Sequence, residues 1–241
     1  MTTRDHPRTD ALSSPPLTGR PSCCQCATRK VCLLGGMPDE YLQRLDGVIE
    51  ERAFSKHEVL EVEGVAARRL AIVKVGTVMA TRRGEQGHSR PVALFGRGRV
   101  LGQYGVYGHA EQLGATALSP GRMCSVNTAE MYRLGVVDRD FHERLQTWIV
   151  RSYGRLADWS RVMRFKGLPH QLHASLVLFA QEQGHRSLRL PSHIALAELL
   201  STTRESIART LRQLEADGHL VRTDRWHCEV ADTPLSAFAG D

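Results

Sequence analysis

Hydrophobic and polar positions along the chain change their period three times. From about Phe54 to Leu134, short runs rich in branched and apolar residues alternate with glycine. The runs are Glu58–Val62, Leu70–Val75, Val78–Arg82, Pro91–Phe95, Ala115–Leu118, Met123–Asn127 and Met131–Leu134. Many short strands separated by turn signals predict a small antiparallel sandwich or barrel. A helical period follows. Phe141, Leu145, Trp148, Ser152, Leu156, Trp159 and Met163 recur at steps of three or four. A helix of that extent spans roughly 38 Å at 1.5 Å per residue, and its stripe is near the coiled-coil pattern, so a partner helix is expected there. The same stripe also suits a helix packed on its own barrel. Gly167 and Pro169 end it.

Beyond that point come a helix over Pro169–Gln183 stopped by Gly184, and a short strand Ser187–Leu190. A helix His193–Leu200, a turn Ser201-Thr202-Thr203 and a helix Arg204–Ala216 follow. Gly218–Arg222 and Trp226–Val230 flank a turn at Thr223–Arg225 and form a closing hairpin. Helix, turn, helix and hairpin is the order of a winged helix-turn-helix. Before the barrel, Pro38-Asp39-Glu40 opens a short helix with Leu42, Leu45 and Ile49 along one face. Met1 to Ser22 carries four prolines among Thr, Ser and Arg, and is read as a disordered tail. The expected divisions are therefore a tail (1–22), a cysteine segment with a sensory barrel (23–137), a long helix (138–166) and a C-terminal domain (167–241).

Composition narrows the class. The chain has 241 residues, a net charge of +6 and ordinary apolar and charged fractions. No apolar run approaches the ~18–20 residues that cross a bilayer, and the N-terminus lacks the apolar stretch of a secretory signal. A cytoplasmic protein without a membrane partner is expected. The basic excess is dispersed, so any nucleic-acid claim rests on local placement.

That placement is found in the second helix of the pair. Ile207 and Leu211 point inward, whereas Arg204, Glu205, Ala208, Arg209 and Arg212 point outward, and Ala197 marks the helix crossing. Thr202 and Glu205 stand at capping-box spacing. Arginine pairs bidentately with guanine, and glutamate accepts from cytosine N4, in the major groove. A helix start of Arg204-Glu205-x-x-x-Arg209 carries the chemistry to read double-stranded DNA; a solvated charged face is the plainer alternative.

Leu196 to Leu214, with Thr203-Arg204-Glu205-Ser206-Ile207-Ala208-Arg209, resembles the recognition segment of the CRP/FNR family of bacterial transcription regulators. The resemblance extends over nearly the whole chain. It implies an α+β architecture: a cyclic-nucleotide-binding-like antiparallel jelly-roll barrel, a long dimerisation helix and a C-terminal winged helix-turn-helix. It also implies a homodimer on a near-palindromic site, RNA polymerase as a partner, base reading by Arg204, Glu205 and Arg209, and Thr203 and Ser206 within the same DNA-binding segment. Arg204-Glu205-x-x-x-Arg209 matches the CRP branch; the FNR branch usually has Ser where this chain has Ala208.

Family barrels that bind cyclic nucleotides carry a Gly-Glu pair and then an Arg-Ser pair. The matching positions here read Gly102-Gln103 and Leu113-Gly114. A buried phosphate would lack its main cationic partner, which argues against cyclic AMP. The cysteines offer another input. Four of the six fall between Cys23 and Cys32, and Cys23, Cys26 and Cys32 are spaced Cys-x2-Cys-x5-Cys, while Cys124 lies on a late strand. Three clustered thiolates and one distant one can supply the four ligands of an iron–sulfur cubane. The pattern resembles the FNR branch, which implies a 4Fe–4S cluster on Cys23, Cys26, Cys32 and Cys124 and a response to oxygen. Arg29 and Lys30 stand close enough in sequence to offset cluster charge. Cys24 is a spare, and Cys228 is read as a small apolar residue. A structural zinc, a thiol–disulfide switch, a haem sensor and another small effector in the barrel are the alternatives. No nucleophile elbow, phosphate-cradling loop or paired-histidine cupin motif is present, and no enzymatic activity is expected.

Overall fold

The computed structural model describes residues 22–85, 87–183, 187–231 and 233. The expected tail up to Pro21, the helix stop at Gly184 and most of the last ten residues lie outside them. The cysteine segment forms two short 3-10 turns, Arg29–Val31 and Leu34–Gly36, and leads into α1 (Asp39–Asp46). Eight strands follow: β1 (Glu50–Phe54), β2 (Val59–Glu61), β3 (Arg69–Val75), β4 (Val78–Arg83), β5 (Ser89–Phe95), β6 (Val100–Leu101), β7 (Gly114–Ala117) and β8 (Gly121–Asn127). They pair antiparallel into two four-stranded sheets, ordered β1-β8-β3-β6 and β2-β7-β4-β5.

The strands sort their side chains by the two-residue period. Ala71, Val73 and Met123 point between the sheets with Phe54, Val78, Leu101, Ala115 and Ala117. Leu70, Ile72, Cys124 and Val126 point out of the first sheet, where the cysteine segment, α1 and α2 cover them through Leu33, Leu34, Leu42, Leu45 and Met131. Met79 and Leu94, paired across the second sheet, belong to the core cluster that holds the C-terminal half of the chain.

Two expectations about the barrel are corrected. Met131–Leu134 is not a strand: α2 (Thr128–Arg133) occupies it, started by the Asn127 side chain accepting from Ala129 N–H at 2.8 Å. An apolar run that short has no period of its own, and the cap decides it. β1 and β6 were not expected. β1 reads Glu-Glu-Arg-Ala-Phe, and its charges lie in ion pairs: Glu50 with Arg69, Glu51 with Lys74 and Arg122, and Arg52 with Glu58.

The long helix α3 runs Arg139–Val162. Asp138 caps it by accepting from Phe141 N–H at 2.8 Å, and Tyr41 donates to the other oxygen of the same carboxylate at 2.8 Å. Much of the expected pairing stripe packs within the protomer. Phe141 and Leu145 are buried against the first sheet and the cysteine segment, and Trp159 is buried in the C-terminal core. Ser152 is buried, while Trp148, Leu156 and Met163 are half-buried against the same two cores. On the other side of α3, Val150 and Tyr153 are 69% and 76% exposed, and Gly154 and Ala157 are exposed between their turns.

Gly167, at φ +84°, makes the turn into α4 (Leu168–Gln183). Strand β9 (Ser187–Arg189), α5 (His193–Leu199), α6 (Arg204–Ala216), β10 (Leu220–Arg222) and β11 (His227–Val230) complete the winged helix-turn-helix, with the sheet ordered β10-β11-β9. Its core of Leu172, Leu176, Phe179, Leu196, Ile207, Leu211 and Leu214 is continuous with Trp159 of α3 and Leu94 and Phe95 of β5. Cys228 is fully buried there, as expected.

Candidate cysteine centre and nucleic-acid interface

The cysteine segment is held by the apolar packing of Leu33 and Leu34 and by a set of polar contacts. Cys23 N–H donates to the Asp46 carboxylate at 2.9 Å. Arg29 reaches three partners: the Gly35 carbonyl at 3.2 Å, the Cys24 carbonyl at 3.3 Å and the Asp39 carboxylate at 2.6 Å. Arg97 donates to the Ala27 carbonyl. Gly98 lies so close under Val31 that a Cβ there would stand 2.7 Å from the Val31 carbonyl oxygen, and its φ is +86°. A side chain at 98 would lift the segment off the barrel.

Held this way, Cys23, Cys26 and Cys32 face Cys124 across one small cavity, whose remaining wall includes Arg29, Ile72 and Lys74. Cys124 sits on β8, opposite Glu51 of β1 and Ile72 of β3. Cys24 lies outside the cavity wall and Lys30 is exposed away from it. The four cysteines expected to act together are the four brought together. Lys74 was not anticipated; its signal is a lysine directly after the apolar run Leu-Ala-Ile-Val of β3. Arg29, expected as a counter-charge, lines the cavity but is already paired with Asp39.

Burial governs the thiols. It pushes the Cys23 thiol up to about 12, with Cys32 and Asp46 adding to the effect. Cys124 is raised further by burial and by Cys32 and Cys23, with Lys74 opposing. Cys32 is raised for the same first reason. Such thiols stay protonated unless a cation takes the proton's place, as in a site built to exchange protons for metal.

Among the described residues, no group of three or more His, Cys, Asp or Glu is arranged for a single metal ion. An all-cysteine set lining a common cavity is a donor set that an iron–sulfur cluster or a zinc ion can use. As the loop lies, the cavity holds about 20 Å³, room for roughly one water. The donor set fits a cluster; a cluster of that size requires the segment 23–32 to move outward.

At the other end of the chain, α6 presents Arg204, Glu205 and Arg209 to solvent, while Ile207, Thr210, Leu211 and Leu214 are buried. The cap differs from the one expected: Thr203, not Thr202, is the N-cap and accepts from Ser206 N–H at 3.1 Å. The two hydroxyls also hydrogen bond at 3.0 Å. Thr203 and Ser206 therefore hold the helix start, and the Glu205 carboxylate is free of a capping duty.

Residues 51–135 match the model of the cyclic nucleotide-binding domain, and residues 170–234 match that of the Crp-like helix-turn-helix domain. The chain belongs to the CRP/FNR family of transcription regulators. No curated protein matches its sequence. Among solved structures, FixK2 from Bradyrhizobium japonicum is similar in fold at 19% identity, covering 80% of this chain and 98% of its own, with a TM-score of 0.62. The c-di-GMP responsive regulator CLP of Xanthomonas campestris matches at 19% identity, covering 81% and 100%, with a TM-score of 0.57. A CRP-family regulator from Thermus thermophilus matches at 18%, covering 78% and 94%, with a TM-score of 0.56. The α+β architecture expected from the sequence is the observed one.

In this CRP/FNR regulator the positions of a nucleotide pocket are filled differently. Gly102 N–H donates to the Glu61 carboxylate at 2.5 Å, and the Glu111 carboxylate accepts from Tyr104 N–H at 3.0 Å and Gly105 N–H at 2.9 Å. Glu61 and Glu111 lie close enough for each to influence the other's titration. Arg99 is buried nearby between the Phe95 ring at 3.8 Å and the Trp148 ring at 5.2 Å, with Nε and Nη1 unpartnered, as is Oε1 of buried Gln103. Two carboxyl groups behind the Gly102 turn make a poor place for a phosphate diester.

Proposed function

We propose that this DNA-binding regulator senses oxygen or redox state through a 4Fe–4S cluster on Cys23, Cys26, Cys32 and Cys124, and reads near-palindromic promoter sites as a homodimer. The observation that supports this most is the convergence of those four cysteines, one of them on the barrel, around a common cavity. When bound, such a cluster supplies four iron–thiolate bonds between the loop and β8. The chain's own residues carry the consequence. Leu33, Leu34 and Met37 follow directly on Cys32 and pack into the core that also holds Phe141 and Leu145 of α3. Arg144 of α3 lies against Gly36. Outward movement of the loop therefore disturbs the N-terminal half of α3, and with it the pairing of two protomers. We assign that pairing to the exposed face with Val150, Tyr153, Gly154 and Ala157, since the Phe141–Trp159 stripe is buried at home.

The pairing sets two α6 helices about one DNA turn apart, ~34 Å, where Arg204, Glu205 and Arg209 read base edges. RNA polymerase is the expected partner at the promoter, in the cytoplasm. Sensing of a cyclic nucleotide, or of a dinucleotide such as the c-di-GMP to which CLP responds, finds less support in the Glu61–Glu111 pair. The test is anaerobic purification with a visible spectrum and iron and sulfide counts, then DNA binding before and after air. Coloured protein that loses colour and DNA affinity together on aeration is the expected result, and Cys124→Ser protein is expected to be colourless with intact folding. Colourless anaerobic protein, or DNA affinity indifferent to air, rejects the sensor reading and leaves the regulator assignment standing.

A further inference from the structure

A cleft of about 590 Å³ opens where three parts of the chain meet. One wall is Ala27 and Thr28 of the cysteine loop. The barrel contributes Val75-Gly76-Thr77 and the Ser119-Pro120 turn, and the third wall is Gln183, Ser187, Arg189 and His227 of the DNA-binding domain. Its volume lies within the ~300–1,000 Å³ of small-molecule sites. None of the described side chains lining it is acidic, whereas Lys74, Arg97, Arg122 and Arg189 all line it.

The charge balance is positive after local pairing is counted. Lys74 and Arg122 share the single carboxylate of Glu51, so that trio carries one net positive charge. Arg97 donates to a backbone carbonyl, which neutralises nothing, and Arg189 lies 5.9 Å from the Trp226 ring. His227 is paired with Asp224 at 2.8 Å. Three net charges thus converge on a concave surface whose hydroxyls (Thr28, Thr77, Ser119) are further donors and whose floor of Val75, Gly76 and Pro120 is aliphatic. Arginine forks and one ammonium around a recess match an anion with several oxygens and more than one charge.

We propose that this cleft binds a small phosphate-bearing anion, held by Lys74, Arg97, Arg122 and Arg189. The site shares Thr28 and Lys74 with the cysteine cavity, whereas Arg97, Arg122 and Arg189 line the cleft alone. A ligand there touches the loop, the barrel and the wing at once, so it favours whichever arrangement of the three keeps the cleft closed.

Titration calorimetry on the full chain purified in air, at about 0.15 M salt so that exposed charges are screened, tests this with inorganic pyrophosphate and with ADP as probes. Saturable binding is expected, weakened tenfold or more by Arg97→Ala and by Arg122→Ala, partly restored by Arg97→Lys, and unchanged by Arg90→Ala on β5 outside the cleft. Tighter binding of ADP than of pyrophosphate identifies a nucleotide using the aliphatic floor; equal binding identifies the bare anion. Two results overturn the proposal. One is the absence of saturable binding by the wild type, or binding that survives both Arg97→Ala and Arg122→Ala. The other is a uniform loss of DNA affinity in those variants with no anion bound, which makes the cleft a contact for the DNA backbone.

Discussion

Glu61 and Glu111 press two carboxyl groups together behind the Gly102–Gly105 turn. Burial first, and then the Glu111 charge, push Glu61 up to about 8, and burial raises Glu111 as well; Arg99 opposes both. The groups facing them are the Gly102, Tyr104 and Gly105 N–H donors and the buried Arg99 guanidinium, whose charge Glu61 and Glu182 favour. The folded chain therefore holds a proton that the unfolded chain, titrating near 4.5, releases. The stability this confers is complete below the ordinary carboxylate range and is lost as pH rises toward 8. Denaturant titrations between pH ~5 and ~8 are expected to show falling stability that Glu61→Gln flattens; an unchanged slope removes the shared proton. On α6, Arg209→Ala or Glu205→Ala is expected to cost about 1–3 kcal/mol of DNA binding and relax one base position in a binding-site selection. An equal loss on every sequence would make the contact one to phosphate. At this scale legibility was uneven. The spacing of Cys23, Cys26 and Cys32 is local and visible, but Cys124 joins them only because β8 lies beneath the loop. Lys74 became a neighbour through strand register, and the true cap, Thr203, stood one residue from the one the spacing suggested.

Helix α3 carries two apolar faces on the same 3.6 period, and periodicity alone does not say which one a second protomer takes. The stronger stripe, Phe141 to Trp159, is claimed by the protomer's own cores because barrel and C-terminal domain both lie on that side. The weaker face, with Val150 and Tyr153, is the exposed one. The two faces separate experimentally. Val150→Asp with Tyr153→Ser is expected to raise the dimer dissociation constant tenfold or more in sedimentation equilibrium while leaving thermal stability of the monomer nearly unchanged. Trp159→Ala is expected to cost about 3–5 kcal/mol of folding stability by emptying a buried volume. Equal loss of folding in both variants would place the exposed face in the protomer's own packing. The strands followed the same logic of competing signals: runs with clear alternation were legible, whereas β1 hid behind Glu50, Glu51 and Arg52, whose ion pairs exist only once β3, β8 and Glu58 are in place.

Across the whole molecule, the barrel and the winged helix-turn-helix share one buried core. Leu94 and Phe95 of the barrel, Trp159 of α3 and Phe179 and Leu196 of the DNA-binding domain form one buried cluster. Burial shared in this way makes the halves unfold together. A single transition is expected for the unaltered chain, with the same midpoint by tryptophan fluorescence and by far-ultraviolet circular dichroism; two midpoints would show that the halves are independent. The order of elements was readable from the sequence because period and glycine content change at each boundary, but the sharing of one core was not, since it depends on which faces meet. Lys74 shows the same sharing in electrical form. Its ammonium stands in the wall of the cysteine cavity and in the wall of the basic cleft, with Glu51 as its carboxylate partner. Negative charge arriving on either side draws on one cation, so the two cavities are in competition. By reciprocity, the factor by which an anion in the cleft disfavours thiolate in the cavity equals the factor by which thiolate disfavours the anion.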